Sequence, residues 1–364
     1  KLYFRDYITS ALCCGGCGEE RRLWLCEVNM VVKQRNTPKL SLLLLAIYSV
    51  PRLISAFIAP VGERSRQTRY ATINFSDPSP AAEVLSGSFG SRSASSTNAE
   101  DIDGSKKVAV LICPAQFCVP VDYDNLISDI KDYVSKSSSA FNIGTCAVAP
   151  LPRTEWIKVA RNLPTRSFLE STLPVYKTLD WYFEAMEDAL SDIFAKEGGD
   201  VNLCVIGHSI GGWVARAYLG GLSGSSTSVC RLAQRQCSSL ITLGTPHASP
   251  EGALVDQTRG LLREVEASSA CSPAAFIDRG IDVTCVGSAS LRGKIVTSDI
   301  EEFVAATSYL PLLGRLDDSV KGDGIVPTEL AFMDAPARRI EIDGCNLTGN
   351  PVRHAHVFPT PWNL

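Results

Sequence analysis

Apolar residues in the C-terminal two-thirds of this chain come in short unbroken runs rather than in alternation. Val108-Ala109-Val110-Leu111-Ile112-Cys113, Thr145-Cys146-Ala147-Val148-Ala149, Val201 to Ile206 and Ser239-Leu240-Ile241-Thr242-Leu243 are each of strand length. A strand covered on both faces reads this way. Between them lie helical periods. Asp122 to about Ser135 suits a helix, and Thr178 to Lys196 carries Tyr182, Met186, Leu190 and Ile193 as an apolar stripe ended by Gly198-Gly199. From Gly211 onward Val214, Tyr218 and Leu219 recur at helical spacing, whereas residues 150–176 are loop-rich. Further on, Ile281 to Val286 is strand-like, Ser298 to Leu313 is helical, and Arg339-Ile340-Glu341-Ile342-Asp343 alternates as a strand near a sheet edge does. Strands alternating with helices predict an α/β fold with a mostly parallel central sheet and helices on both faces.

The chain ahead of Lys107 follows other rules. Residues 77–106 are rich in Ser, Gly, Ala and Pro and hold few large apolar groups, so they read as a linker. Leu40 to Val50 is almost wholly apolar, preceded by Lys33, Arg35 and Lys39 and closed by Pro51. A bilayer span needs about 20 residues, and this run is shorter, which suits a signal-peptide core more than an anchor. Ile54-Ser55-Ala56 is a fair cleavage site. Phe57-Ile58-Ala59-Pro60 then leads into Arg64, Arg66, Thr68 and Arg69, with Glu63 as the only acid before Asp77. On Ser55 to Pro60 and the basic stretch behind it, this front resembles the two-part presequence of algae with secondary plastids. It implies delivery to the plastid (chloroplast) by a signal peptide plus transit peptide; plain secretion or the ER lumen is the alternative. The expected organisation is an unassigned upstream segment over 1–29, a signal peptide over 30–56, a transit peptide and linker over 57–106, and a globular domain over 107–364.

Composition adds little and excludes something. The net charge of −4 hides an asymmetry, because residues 30–70 carry seven basic side chains against one acidic. The remainder is therefore acidic, which argues against nucleic acid as a partner. The 13 cysteines are scattered; Cys13-Cys14-x-x-Cys17 is the one cluster, no second pair with zinc-ligand spacing follows it and no disulfide framework is visible, so they read mainly as small buried apolar residues. No metal and no cofactor are expected.

The chemistry centres on Gly207-His208-Ser209-Ile210-Gly211, set between the Val201–Ile206 strand and the helix that follows. Gly-x-Ser-x-Gly in that setting is the nucleophile-elbow pattern, in which a sharp turn lifts the Ser209 hydroxyl above the sheet at a helix N-terminus. A serine nucleophile needs a base and a group that orients the base. Of the four histidines, His208 lies inside the elbow, pointing away from its neighbour's hydroxyl, and His247, in Gly244-Thr245-Pro246-His247, reads as a wall residue. His354 and His356 remain, on the loop after the last strand, which matches the chain order Ser, acid, His. The best acid is Asp323 in Gly322-Asp323-Gly324-Ile325-Val326-Pro327, whose glycines permit close backbone approach; Asp282, Asp299 and Glu301 compete without such a turn.

Together with Leu179-Asp180-Trp181-Tyr182 and Val255-Asp256-Gln257-Thr258-Arg259-Gly260-Leu261-Leu262, these segments resemble a lipase-like α/β-hydrolase family of plants, algae and cyanobacteria. The likeness runs from about Lys107 to the C-terminus. It implies the α/β-hydrolase fold with a cap insertion (248–321) before the acid, Ser209 as nucleophile, Asp323 as acid and a C-terminal histidine as base. His356 fits the family's His-Val-x-Pro ending better, and His354 stays open. It also implies an oxyanion hole from the backbone N–H of Ile210 and that of Gln116, although relatives are Gly-rich where this chain has Cys113-Pro114-Ala115-Gln116-Phe117. The family's closing helix is expected beyond Leu364. The implied activity is cleavage of a carboxylic ester, with an acyl lipid the foremost substrate and peripheral membrane contact compatible with it. An acyltransferase or thioesterase on the same triad, or a non-catalytic ligand receptor on the same fold, are the alternatives.

Overall fold

The computed structural model describes residues 106–136, 141–250, 256–317, 319–344 and 351–354. The upstream, signal, transit and linker segments, His356 and the residues after it lie outside the described residues.

Six strands form the central sheet: β1 (Lys106–Cys113), β2 (Phe141–Val148), β3 (Asn202–His208), β4 (Cys237–Leu243), β5 (Asp282–Ser288) and, last in the chain, β8 (Arg338–Ile342). Their spatial order is β2-β1-β3-β4-β5-β8, and every neighbouring pair is parallel. The alternation inside each apolar run explains why the runs are continuous. Val108, Val110 and Ile112 of β1 join one core with Cys204 and Ile206 of β3, while Ala109, Leu111, Leu203 and Val205 join the other. Both faces are covered, so neither set of side chains needs to be polar.

Helix α1 (Asp124–Lys136) links β1 to β2 and packs Ile130 and Val134 into the smaller core. Helix α2 (Asp180–Glu197) links β2 to β3 and packs Tyr182, Met186, Leu190 and Ile193, all fully buried, into the larger one. The helices take opposite faces because the winding reverses at β1: β2 is laid down on one side of it and β3 on the other. The carboxyl ends of β1 and β3 therefore part company at a topological switch point, the place where open α/β sheets bind ligands. The loop after β1 and the turn after β3 stand on either side of that crevice.

The remaining elements support this edge. Helix α3 (Ile210–Leu219) follows β3, α4 (Ser228–Gln236) leads into β4, and α5 (Leu261–Ala267) and α6 (Pro273–Asp278) precede β5. The interval 248–321 thus contributes one strand to the main sheet. What stands between that strand and Asp323 is a two-residue β6 (Leu291–Arg292), helix α7 (Ile300–Leu313) and β7 (Lys321–Gly322), with β6 and β7 paired antiparallel. Within α7, Tyr309 and Leu313 are core, whereas Phe303 is 47% exposed. The segment around Asp256 is scaffolding: its carboxylate accepts from the N–H of Thr258 and Gly260 and from the Arg263 guanidinium, which fixes the entry to α5.

Candidate active site

Ser209 sits between β3 and α3 with φ 53° and ψ −126°, a conformation an L-residue adopts only at a cost of about 1–3 kcal/mol. Its neighbours enforce the turn. A Cβ on Gly211 would lie 2.1 Å from the Cys113 carbonyl oxygen, and one on Gly207 would lie 2.3 Å from the Gly212 Cα. The elbow therefore closes directly on the end of β1. The Ser209 N–H donates to the Leu243 carbonyl at the end of β4, holding the turn against the next strand.

Asp323 and His354 meet at the same edge. The Asp323 carboxylate is buried, and its Oδ1 accepts from the N–H of Ile325 (2.9 Å) and of Val326 (2.7 Å). Its Oδ2 is 2.7 Å from His354 Nδ1. The carboxylate is thereby oriented from its own turn and spends its second oxygen on the imidazole, as the orienting member of a triad does. The glycines of this turn serve the approach predicted for them: Gly324 has φ 98°, and a Cβ on Gly322 would meet the Val326 carbonyl at 2.3 Å.

The backbone of His354 is fixed as firmly as its ring. Its N–H donates to the Asp323 carbonyl (2.7 Å), and its own carbonyl accepts from His208 Nε2 (3.2 Å). The Val352 carbonyl accepts from the Ser288 hydroxyl at the end of β5, and Arg353 forks onto Glu301 of α7 with its closest contact at 2.6 Å. With Nδ1 facing a carboxylate, Nε2 is the nitrogen of His354 that can take a proton. Of the competing acids, Asp299 caps α7 through Glu301 N–H, Glu301 pairs with Arg353, and Asp282 opens β5. His356 lies outside the described residues.

The other two histidines are buried, with their rings held by protein partners. His247 is buried against Thr242 Oγ1 (2.9 Å), and burial followed by the nearby Arg216 charge holds its pKa well below the ordinary imidazole value. His208 is fully buried, which likewise depresses its pKa, and both ring nitrogens are engaged: Nδ1 with the Tyr123 hydroxyl (3.0 Å), Nε2 with the His354 carbonyl.

Gln116 lies in a turn closed by the Cys118 N–H on the Ala115 carbonyl, with Phe117 in the left-handed region at φ 63°. Three side chains brace that turn. Tyr182 donates to the Pro114 carbonyl (2.6 Å), Tyr123 accepts from the Ala115 N–H (2.7 Å), and Arg153 donates to the Phe117 carbonyl (3.0 Å). The Ala115 amide is thus committed, and the next amide along is that of Gln116. The sequence shows Tyr182 in a helical stripe and in the Leu179–Tyr182 motif and gives Tyr123 no signal, since a tyrosine in a stripe looks like core until its hydroxyl is located. The adjacent thiols are quiet: burial pushes Cys113 far up, and Cys118 up to about 11.

Comparisons with known proteins agree with this geometry only in part. A family profile described as a PGAP1-like alpha/beta domain matches residues 177–300, which takes in α2, the elbow, β4 and β5 but stops short of Asp323 and His354. No match was found among curated proteins. Two solved structures are similar at a low level. One is titled RedJ with a PEG molecule bound in the active site, 15% identical over 56% of this chain and 76% of that one, with a TM-score of 0.24. The other is the RedJ thioesterase from the prodiginine biosynthetic pathway in Streptomyces coelicolor, 14% identical over 73% and 94%, with a TM-score of 0.28. The sheet order, the elbow and the profile match identify an α/β-hydrolase fold.

Proposed function

We propose that this protein is a serine hydrolase of carboxylic esters, with Ser209 as nucleophile, His354 as base and Asp323 as the acid that orients it. The single observation that carries the reading is the 2.7 Å contact between Asp323 and His354 Nδ1 at the carboxyl edge of the sheet, beside the elbow. It is the reason for choosing His354 over His356 as the base. His354 takes the Ser209 proton on Nε2 as the oxygen attacks the ester carbonyl. The imidazolium is stabilised by Asp323, and the oxyanion faces the N–H groups of Ile210, first in α3, and Gln116. Each such donor is worth about 3 kcal/mol of transition-state stabilisation. Collapse of the tetrahedral species returns the proton to the departing alkoxide, and water activated by His354 then releases the acyl group.

An acyl lipid is the substrate this reading favours. Supporting it, Val296 (88% exposed), Ile300 (78%) and Phe303 hold apolar surface at the start of α7, the helix that Arg353 ties to the base. Thioester cleavage and acyl transfer share every step up to the acyl-enzyme and differ only in what accepts the acyl group. Residues 30–106 are proposed as a plastid address, which imaging of that segment fused to a fluorescent protein tests. The decisive experiment for the chemistry is labelling with a fluorophosphonate probe. Wild type should react, Ser209→Ala and His354→Ala should not, and His356→Ala should. An ester and thioester panel of graded chain length then sets the substrate class. Labelling that survives Ser209→Ala would sink the assignment.

A further inference from the structure

The elbow histidine belongs to neither the nucleophile nor the base, yet it touches the machinery on both sides. A carbonyl oxygen only accepts, so the 3.2 Å contact between His208 Nε2 and the His354 carbonyl requires a proton on Nε2. The ring is fully buried, and burial disfavours its charged form, so Nδ1 carries no proton. The Tyr123 hydroxyl, 3.0 Å from Nδ1, must therefore donate to it. That leaves the phenol oxygen as acceptor for the Ala115 N–H at 2.7 Å, with the Cys118 thiol bordering the same hydroxyl. The direction of these three bonds is thus fixed from the two ends: Ala115 N–H to Tyr123, Tyr123 O–H to His208 Nδ1, His208 Nε2–H to the His354 carbonyl.

Residues far apart in sequence meet here, 85 positions between Tyr123 and His208 and 146 between His208 and His354. The ring of His208 also lies against that of His354, with centroids 5.3 Å apart. Among the described residues, those from 351 to 354 are held by Ser288, Glu301, Asp323 and His208, and His208 is the holder attached directly to the nucleophile.

We propose that His208 is a positioning residue which, through Tyr123, ties the loop carrying the second oxyanion donor to the main chain of the base, so that donor, nucleophile and base keep one mutual geometry. This rests on the serine-hydrolase reading above. A phenylalanine of similar shape would leave the His354 carbonyl and the Tyr123 hydroxyl without their partner. Glutamine places an amide N–H where Nε2 stands and can still serve His354, whereas asparagine reaches only the Nδ1 position and serves Tyr123.

The test compares fluorophosphonate labelling rate, the kcat and KM for one soluble ester, and the NMR resonance of the His354 Nδ1 proton facing Asp323, in wild type and in H208F, H208N, H208Q and Y123F. Misplacing a reacting group by about 1 Å costs roughly a hundredfold. H208F and H208N should accordingly label roughly ten- to a hundredfold more slowly, with kcat reduced, KM within about twofold and the His354 proton shifted or broadened. H208Q should recover most of the rate and the wild-type resonance. Y123F should slow labelling while leaving the His354 resonance in place, since it disturbs the oxyanion end. Equal rates in H208Q and H208N, or a wild-type rate in folded H208F, overturn the proposal; should H208F fail to fold, the Gln–Asn comparison decides alone. A wild type that does not label, or a Ser209→Ala that does, rejects the hydrolase reading instead, and this proposal with it.

Discussion

Gly244 offers the sharpest perturbation of the acid–base pair. It follows β4 with φ 53°, and a Cβ built on it would lie 2.8 Å from Asp323 Oδ2 and 3.2 Å from His354 Nδ1. Gly244→Ala thus drives a methyl group at the two atoms whose 2.7 Å contact orients the base in the proposed triad. Two costs add. The left-handed backbone costs a Cβ-bearing residue about 1–2 kcal/mol, and the wedge forces either the carboxylate or the imidazole aside. Gly221 separates these terms, because it too has positive φ (86°) but nothing within 4 Å of its Cβ position. Gly221→Ala should lose only the conformational part, a fall of about 2–4 °C in Tm per kcal/mol. Gly244→Ala should lose somewhat more stability and, above all, rate. Withdrawing the acid's help from a triad costs about 10⁴ in kcat, and displacing it by an ångström about 10², so a drop of roughly 10²–10⁴ is expected with KM little changed. The assay is steady-state hydrolysis of a soluble ester alongside thermal melting for both variants. A folded Gly244→Ala enzyme with kcat within about threefold of wild type would show that the Asp323–His354 contact does not support turnover.

Three further outcomes follow from the same structure. The Arg353–Glu301 pair is part-exposed on both sides, so Glu301→Gln should cost under about 1 kcal/mol of stability in urea unfolding; a loss of several kcal/mol would mean that the pair holds the fold together and does not merely steady the base. His208 and His247 are held neutral by burial, with folded pKa values below the unfolded one. The unfolded chain therefore binds protons that the native state refuses as pH falls through about 6.5, and each histidine removes up to about 1.4 kcal/mol per pH unit below it; stability that is flat or rising between pH 7 and 5.5 would contradict their burial. Cys118 and Cys204 are pushed by burial up to about 11 and about 12, so peptide-resolved alkylation with iodoacetamide at pH 8 should leave both unmodified in the native protein, and rapid labelling of either would refute their enclosure.

Several features were legible in the amino-acid order because they are local. Unbroken apolar runs of strand length identify strands covered on both faces, and the Gly-x-Ser-x-Gly spacing between a strand and a helix marks the elbow, since only glycine survives the approach of Gly211 to Cys113. The glycines around Asp323 signal a carboxylate brought close to backbone in the same way. Boundaries shifted by a few residues, as where Phe141 and not Thr145 opens β2, because strand ends are set by pairing with β1 and not by composition.

For the base, the local signal in the sequence was the His-Val-x-Pro ending, which favoured His356. What supports His354 as the proposed base is not local: residues 351–354 are pinned by Ser288, Glu301, Asp323 and His208 from four separate parts of the chain. The roles of Tyr123, Tyr182 and His208 were hidden for the same reason. A hydrogen bond depends on tenths of an ångström, while a sequence pattern records only which residues are apolar and how often they recur. The chain's own order dictates the sheet, its two covered faces and the strained serine; only folding decides which distant polar atoms converge on that serine.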